Sequence, residues 1–240
     1  MKVLVVTNMY PTEKHPFYGI FVKEQVESLT KEGVFLDVVF INGKESKLNY
    51  FTAVMTLLKK LKSTHYSVIH AHHTYCVFPV LITKLLTGSG APLILTFHEG
   101  EVYKPKEVIL ADVDVVKRLV FSKKLKKAAL KIADLVITVE KGLTKALNFD
   151  GETVILPCGV DLDLFQPMEK VWCRKKLNFP MDKKIIFFPA APEKKTKGLD
   201  ILNEALKYLS RKNISLFTGG SILHQDVPYY MCASDVVAQI

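Results

Sequence analysis

Two residues that could perform acid–base chemistry follow a short apolar run near the middle of the chain. Leu93 to Phe97 is typical of a strand that is buried on both faces of a sheet, and His98 and Glu99 come directly after it. A histidine in this position, with an acidic neighbour, could orient or deprotonate a hydroxyl group. A partly buried structural histidine would give the same pattern, so the residues alone leave both interpretations open.

A second group of residues has the charge that a phosphate site needs. The segment from Glu193 to Gly198 reads Glu-Lys-Lys-Thr-Lys-Gly and lies between a predicted strand and a predicted helix. Lysines beside the N-terminus of a helix create a positive field that suits a diphosphate. A solvated lysine loop is the alternative interpretation, and it explains the segment equally well.

Gly19 stands directly before another predicted helix, where backbone amides and the helix dipole could hold a phosphate. The loop before it, Tyr10 to Ile20, contains neither the G-x-G-x-x-G pattern nor the Walker lysine-serine pattern, so loops of those two kinds are not indicated. Taken alone, this glycine is better explained by a tight turn.

Histidines are concentrated in the run His70-Ala71-His72-His73, after a predicted third strand. Histidines two residues apart on an extended segment point the same way, so a metal ion is conceivable there. No nearby aspartate completes a ligand set. We therefore favour structural histidines that cap the strand and hydrogen-bond the loops, and we predict no metal site.

The elements that must position these residues alternate between strands and helices. Short apolar runs predict six strands in the first part of the chain, at residues 3–6, 35–41, 68–69, 93–97, 135–139 and 154–156. Alternation of this kind predicts right-handed crossovers and a doubly wound parallel sheet. Ligands of such sheets bind beyond the carboxyl ends of the strands, which is where the candidate residues lie.

A segment between Pro157 and Pro167 has the proline, glycine and aspartate content of a linker. It predicts a first domain at residues 1–165 and a second α/β unit at residues 166–240. The second unit has predicted strands at residues 184–188, 214–217 and 235–237, and predicted helices at residues 199–209 and 227–233. These elements are too few for a complete doubly wound domain.

Composition sets limits on the class of protein. The 240 residues are 49% hydrophobic and 24% charged, which is ordinary for a globular protein with a real core. No run of about 18 uncharged apolar residues occurs, so no transmembrane helix is predicted. The four cysteines are far apart and form no metal pattern, and a cytoplasmic location is expected.

The net charge of +9 fits phosphate-rich partners, an anionic membrane surface or simply solvated lysines. Residues Lys117 to Ile132 carry seven basic residues interleaved with apolar ones. A helix of this kind can lie on an anionic bilayer at the inner membrane face. The more common alternative is that its apolar stripe faces the core and its lysines face water. No nucleic acid partner is predicted.

Several short segments, in order along nearly the whole chain, resemble those of the GT-B-fold retaining glycosyltransferases of family 4. Their order and spacing carry the resemblance, because each is weak alone. They are Gly19-Ile20-Phe21-Val22, Val68-Ile69-His70-Ala71-His72, Thr96-Phe97-His98-Glu99-Gly100, Ala133-Asp134-Leu135-Val136, Leu156-Pro157-Cys158-Gly159-Val160-Asp161, Lys197-Gly198 and Ala233-Ser234-Asp235-Val236.

The resemblance implies two Rossmann-like domains and transfer of a hexose from a nucleotide diphosphate sugar to a hydroxyl acceptor, with retention of configuration and no required metal or cofactor. His98 and Glu99 are the implied catalytic residues. The implied donor-phosphate residues are Gly19, Lys194, Lys195, Lys197 and Gly198. Lys194 or Lys195 would replace the arginine of the family, which is absent at Ala191.

Two departures from the family pattern affect the expected function. Cys158 stands where asparagine is usual, and the two glutamates of the family, which contact the donor, would lie beyond Ile240. We therefore expect a C-terminally truncated second domain, an isolated chain of doubtful activity, and conceivably a complementing C-terminal chain. Two other functions fit the same architecture: a sugar-nucleotide 2-epimerase, and a non-catalytic binding or assembly subunit derived from the enzyme.

Overall fold

The computed structural model describes residues 1–98, 123–194, 197–209 and 213–239. They divide into two compact units, residues 1–159 and 160–240. The division lies inside the linker-like segment, a few residues before the predicted boundary at residue 165. Each unit has its own parallel sheet.

The sheet of the first unit has six parallel strands in the order β2-β1-β3-β4-β5-β6. The strands are β1 (Lys2–Thr7), β2 (Phe35–Phe40), β3 (Val68–His72), β4 (Leu93–Phe97), β5 (Leu135–Thr138) and β6 (Thr153–Ile155). The helices that the structure describes between them are α1 (Ile20–Lys31), α2 (Asn49–Ser63), α3 (Thr74–Thr87), α4 (Lys123–Ile132) and α5 (Lys141–Leu147). The predicted α/β fold is confirmed.

The helices cover both faces of this sheet, as the continuous apolar runs in the strands require. On one face, Leu4 and Val6 of β1 pack in a large core cluster with Leu57 of α2, Val77 of α3 and Leu130 of α4. The other face of β1 packs through its alternate side chains against α1. Thus α2, α3 and α4 share one face, and α1 covers the other.

In the described residues, the second unit has three parallel strands in the order β8-β7-β9. They are β7 (Lys184–Phe188), β8 (Ile214–Thr218) and β9 (Val236–Val237), and the helices are α6 (Lys170–Lys176), α7 (Leu199–Lys207) and α8 (Val227–Ala233). A single 3-10 turn, His224–Asp226, leads into α8. Of these helices, α6 was not predicted, and α7 ends two residues before the predicted limit.

The same tie between neighbouring strands occurs in both units. Asp134 precedes β5, and its carboxylate accepts a hydrogen bond of 2.7 Å from the Leu93 amide at the start of β4. Asp235 precedes β9 and accepts a bond of 2.7 Å from the Ile185 amide in β7. The amide of each aspartate donates back to the same residue, at 2.9 Å and 2.8 Å. Both aspartates therefore fix the amino ends of strands, away from the expected ligand edge.

The helices of the described part of the chain are also short or polar by the standard of a bilayer. None of them is long and apolar enough to cross a membrane.

Candidate functional site

The carboxyl edge of the first sheet has the geometry of a binding crevice. The chain leaves β1 for α1 on one face, and it leaves the neighbouring strand β3 for α3 on the opposite face. Where consecutive connections diverge in this way, a crevice opens between them at the carboxyl ends of the strands. Two of the candidates from the sequence, Gly19 and His98, lie along this edge.

His98 lies at this edge, immediately after β4. Its ring packs against Phe21 in the first turn of α1, with ring centroids 4.6 Å apart. Because Gly19 is the residue from which α1 begins, this contact brings the two candidates of the first unit to the same crevice. The predicted position of His98 is thus observed, while its chemical role stays a prediction.

Gly19 has two structural reasons to be glycine. Its φ of 72° and ψ of 27° lie in the left-handed region, which disfavours side chains. A Cβ at this position would also overlap the carbonyl group of Met9, in the loop after β1. The tight turn is therefore real, and it presses the start of α1 against the end of β1. A phosphate-binding role remains compatible with this geometry.

The histidine run lies further inside the sheet than the sequence indicated. Both His70 and His72 are buried within β3, which extends to His72, so they do not follow the strand as predicted. Parallel register places β4 alongside, and His70 Nε2 lies 2.7 Å from the Thr96 hydroxyl oxygen. His72 Nδ1 lies 3.3 Å from Nε2 of His98. His70 thus connects β3 to β4, and His72 contacts His98 directly.

Burial controls the protonation of this cluster. Desolvation lowers the pKa of His70 to about 4. Desolvation, followed by the proximity of His73 and His70, lowers the pKa of His98 to about 3. A neutral imidazole can donate one hydrogen bond and accept another, but a pKa this low makes it a weak base. The arrangement therefore favours orientation of a hydroxyl group over its deprotonation.

The described residues contain no group of three or more histidine, cysteine or acidic side chains that could hold a metal ion. The rings of His70 and His72 lie close, with centroids 4.3 Å apart, but their described hydrogen bonds run to neighbouring side chains. The cluster is arranged to connect strands.

Two polar residues form a pair beside the crevice, and the sequence indicated only one of them. Asn8 follows β1, and its Nδ2 donates to the Tyr50 hydroxyl over 3.0 Å. Burial is the main reason that the pKa of Tyr50 lies well above its usual value. Gly43 makes room for this tyrosine, since a Cβ there would lie 2.7 Å from its ring. Asn8 could be found as a polar residue after a strand, whereas Tyr50 gave no signal.

The second unit carries the predicted phosphate loop at the carboxyl edge of β7. Lys194 and Lys197 are exposed, and the Lys197 amide donates to the Lys194 carbonyl over 2.9 Å in a turn. Gly198 then begins α7 with a φ of 77° and a ψ of 25°. Both units therefore have a helix that begins at a left-handed glycine. Glu99 and Lys195, the remaining predicted site residues, lie outside the described residues.

A further pair of glycines allows two loops to approach each other closely at this edge of the second sheet. Gly219 follows β8, and its amide donates to the Phe188 carbonyl over 2.8 Å. A Cβ on Gly219 would overlap the Pro189 carbonyl, and Gly220 has a φ of 102°. The loops after β7 and β8 can approach closely only without these side chains. The sequence signal was a Gly-Gly pair directly after an apolar run.

The described part of the basic segment, helix α4, packs its apolar side inward. Ala129 and Leu130 are buried in the core of the first unit, while Lys127 and Lys131 are exposed. Residues 117–122 lie outside the described residues. The apolar stripe of α4 is therefore occupied by the core and is not available to enter a bilayer.

Comparison with known proteins identifies the family. The profile of Glycosyltransferase Family 4 matches residues 2–164, which is more than half of the chain. The chain belongs to this family. Its fold is GT-B, since solved structures with that fold align over almost the whole chain.

Two similar proteins show how much of their length this family 4 chain matches. TuaC of Bacillus subtilis (strain 168), provisionally described as a teichuronic acid biosynthesis glycosyltransferase, is 24% identical over 91% of the chain. The match covers 65% of TuaC, so the chain spans less than two thirds of that relative. Sucrose-phosphate synthase from Thermosynechococcus elongatus superposes with a TM-score of 0.65 at 16% identity, covering 99% of this chain and 75% of the synthase.

A third comparison concerns a solved structure that contains a nucleotide. The Anabaena protein HepE, in complex with UDP and glucose, superposes with a TM-score of 0.56 at 14% identity. The alignment covers 100% of this chain and 74% of HepE. At this level of identity the likeness establishes the fold alone.

Proposed function

We propose that this chain belongs to a retaining glycosyltransferase that moves a hexose from a nucleotide diphosphate sugar to a hydroxyl acceptor. The bond from the sugar C1 to the diphosphate oxygen breaks, and a bond from C1 to the acceptor oxygen forms. The acceptor proton is taken up by the departing diphosphate. Family membership and the nucleotide in the HepE structure support this proposal.

The observation that carries the proposal is His98, held at the carboxyl edge of the first sheet against the start of α1. A neutral histidine in this position can hydrogen-bond a sugar hydroxyl while an oxocarbenium-like sugar forms. In the second unit, the amides at the start of α7 and the ammonium groups of Lys194 and Lys197 would stabilise the departing diphosphate.

Calorimetry with UDP, GDP and their glucose or mannose conjugates tests the donor site. Lys197→Ala should weaken binding of the preferred diphosphate by about 1–3 kcal/mol, the scale of a hydrogen bond to a charged group. Lys183→Ala is the matched control, because Lys183 is also exposed but lies before β7 rather than after it. Equal loss in both variants would show a general charge effect and would remove Lys197 from the site.

His98→Ala separates catalysis from binding. In a protein that transfers sugar, this change should lower turnover much more than it lowers diphosphate affinity or melting temperature. Full diphosphate binding without release of nucleotide by the wild-type chain, over a panel of hydroxyl acceptors, would instead favour the non-catalytic subunit.

A further inference from the structure

In the described part of the chain, three helices without a carboxylate, α2, α3 and α4, pack on one face of the sheet of the first unit. No aspartate or glutamate occurs between Ser46 and His98, a stretch that includes α2 and α3, and none occurs in α4. These three helices pack on the same face of the sheet. The lysines that they contribute are Lys59, Lys60, Lys62, Lys84, Lys123, Lys124, Lys126, Lys127 and Lys131. Among the residues that the structure describes, the helical cover of this face is therefore basic, with no acidic residue in these helices.

The outer side of α3 on this face is apolar. Cys76, Val77 and Val80 face the core, as expected. On the outside, Phe78 is 40% exposed and Leu85 is 85% exposed. A helix that is apolar on all sides is normally covered on all sides, because exposure of such a surface to water is unfavourable. The outer side of α3 therefore has the composition of a contact surface.

The apolar surface continues across the neighbouring helix α2. Phe51 is 63% exposed and meets Phe78 edge-on, with ring centroids 6.3 Å apart. Met55, one turn further along, is 60% exposed. We name this surface the α2–α3 patch, and its members are Leu48, Phe51, Met55, Phe78, Leu85 and Leu86. Exposed Lys59 and Lys62 lie beyond Met55 on the same helix.

We propose that the α2–α3 patch docks on the surface of an anionic lipid bilayer. Its aromatic and aliphatic side chains would enter the boundary of the acyl chains, while lysines of α2 and α4 would contact the acidic headgroups. The apolar contribution comes from α2 and α3, because the apolar stripe of α4 is buried in the core. This proposal does not depend on sugar transfer.

Charge decides between a bilayer and a second copy of the chain as the occupant. In a symmetric dimer through this patch, the lysines around one copy would face the lysines around the other, and like charges across an interface are unfavourable. A bilayer with acidic headgroups offers an apolar interior and negative charge together. It therefore complements both properties of the face.

Co-sedimentation with vesicles tests the docking surface with the full chain. The wild type should bind vesicles that contain phosphatidylglycerol and should be recovered free with pure phosphatidylcholine, and added salt should release it. Phe51→Ser combined with Met55→Ser should reduce the partition coefficient by about tenfold or more. Ile201→Ser is the control, since Ile201 is a 56% exposed apolar residue on helix α7 of the second unit. Equal binding by all three proteins would overturn the proposal.

Two lysines in equivalent helical positions test whether the positive charge beside the patch contributes to vesicle binding. Lys62 is in the last turn of α2, and Lys31 is in the last turn of α1, which covers the opposite face of the sheet. Lys62→Gln should lower the partition coefficient about fivefold, the effect of one basic residue at an anionic surface, and Lys31→Gln should leave it unchanged. Equal effects would show non-specific attraction of a basic protein.

Tryptophan fluorescence measures insertion of the α2–α3 patch into the bilayer separately from binding. Trp172 is the only tryptophan of the sequence, so Phe51→Trp in a Trp172→Phe background reports on the patch alone. Its emission should shift to the blue with anionic vesicles and should be quenched by brominated acyl chains. Binding without quenching would contradict insertion. Concentration-dependent dimerisation that Phe51→Ser abolishes, with no vesicle binding, would show that a second copy covers the patch.

Discussion

At the scale of single residues, burial determines what the histidines of the first unit can do. His70 and His72 lie inside β3, and they contact residues of β4 rather than solvent. His98, at the end of β4, is the member that reaches the crevice edge. Because desolvation keeps the pKa values of all three low, the cluster is neutral near pH 7. Protonation of these buried rings in acid should therefore weaken the contacts between β3 and β4.

Titration of His70 provides the first prediction. Its folded pKa of about 4 is below the ordinary value of 6.5, so the unfolded chain binds more protons between these values. The free energy of unfolding should fall as the pH decreases from about 6.5 towards 4, by up to about 1.4 kcal/mol per pH unit for each such histidine. His70→Gln should reduce this slope in urea unfolding at a series of pH values. His65→Gln, at an exposed position, should retain the wild-type slope.

Substitution of Gly19 tests the packing of α1 against the end of β1. Gly19→Ala should destabilise the first unit by more than about 2 kcal/mol, because it combines an unfavourable φ with overlap of the Met9 carbonyl. Gly33→Ala is the control: Gly33 has a φ of 79° but no atom within 4 Å of an added Cβ, so about 1 kcal/mol is expected. Similar losses of unfolding free energy in both variants would contradict the close approach.

Sequence patterns could locate Gly19 and His98 but not the contacts between side chains. A polar residue directly after an apolar run indicated His98, and a glycine directly before a helical pattern indicated Gly19. The meeting of His72 with His98 depends on the register between β3 and β4, which the sequence of neither strand contains. Histidine is also not a typical strand residue, so the last part of β3 was mistaken for a loop.

At the scale of elements, the strands were easier to predict than the helices. Buried parallel strands have continuous apolar runs, and this signal is strong in β1, β4 and β7. Helix α3 gave no helical period because it is apolar on both its inner and outer sides and contains Pro79. Helix α6 has only seven residues, three of them basic in its last turn, so its pattern is too short to read.

The strand β9 has only two residues, and side-chain hydrogen bonds of the preceding Asp235 add to its backbone pairing with β7. Asp235, which precedes β9, accepts hydrogen bonds from the Ile185 amide and from Arg174, whose Nη2 lies 2.7 Å from the carboxylate. The backbone bond from Ile185 is the main reason that the pKa of Asp235 falls to about 2. Arg174 also donates to the Ala233 carbonyl over 2.9 Å. This network ties α6 and α8 to the central strand β7.

Removal of this network is the prediction at this scale. Asp235→Ala should lower the free energy of unfolding of the second unit by about 2 kcal/mol, since it leaves the buried Arg174 without its anion and the Ile185 amide without its acceptor. Lys170→Ala removes a more exposed ion pair with the same aspartate, at 3.2 Å, and should cost about 0.5 kcal/mol. Denaturant titrations that give equal losses would contradict the structural role of Asp235.

At the scale of the whole molecule, the two units differ in the size of their cores. The first has six strands and one large buried cluster that includes residues from four of its described helices. The second has three strands in the described part of the chain, and its buried clusters are small. The division into two α/β units was predictable from the linker-like segment. The difference in burial between the two units could not be predicted from the sequence, because it depends on which apolar side chains pack against each other in the fold.

This difference predicts unequal resistance to proteolysis. Val236 and Val237 of β9 are 53% and 41% exposed, so the edge of the second sheet carries apolar side chains that gain little from burial. A unit with fewer buried contacts opens more often, and opening exposes cleavage sites. Mild trypsin should therefore leave a fragment close to residues 1–159 and cut the second unit at several lysines. Mass spectrometry of a time course identifies the fragments.

Ligand dependence makes the same experiment more specific. A ligand that binds only the folded state slows opening in proportion to its occupancy, so UDP should delay cleavage in the second unit if the loop before α7 holds the diphosphate. The delay should be smaller in Lys197→Ala and unchanged in Lys183→Ala. Uniform protection of residues 168–239 without any nucleotide would show that three strands and their helices already form a stable unit, and the inference from core size would then be wrong.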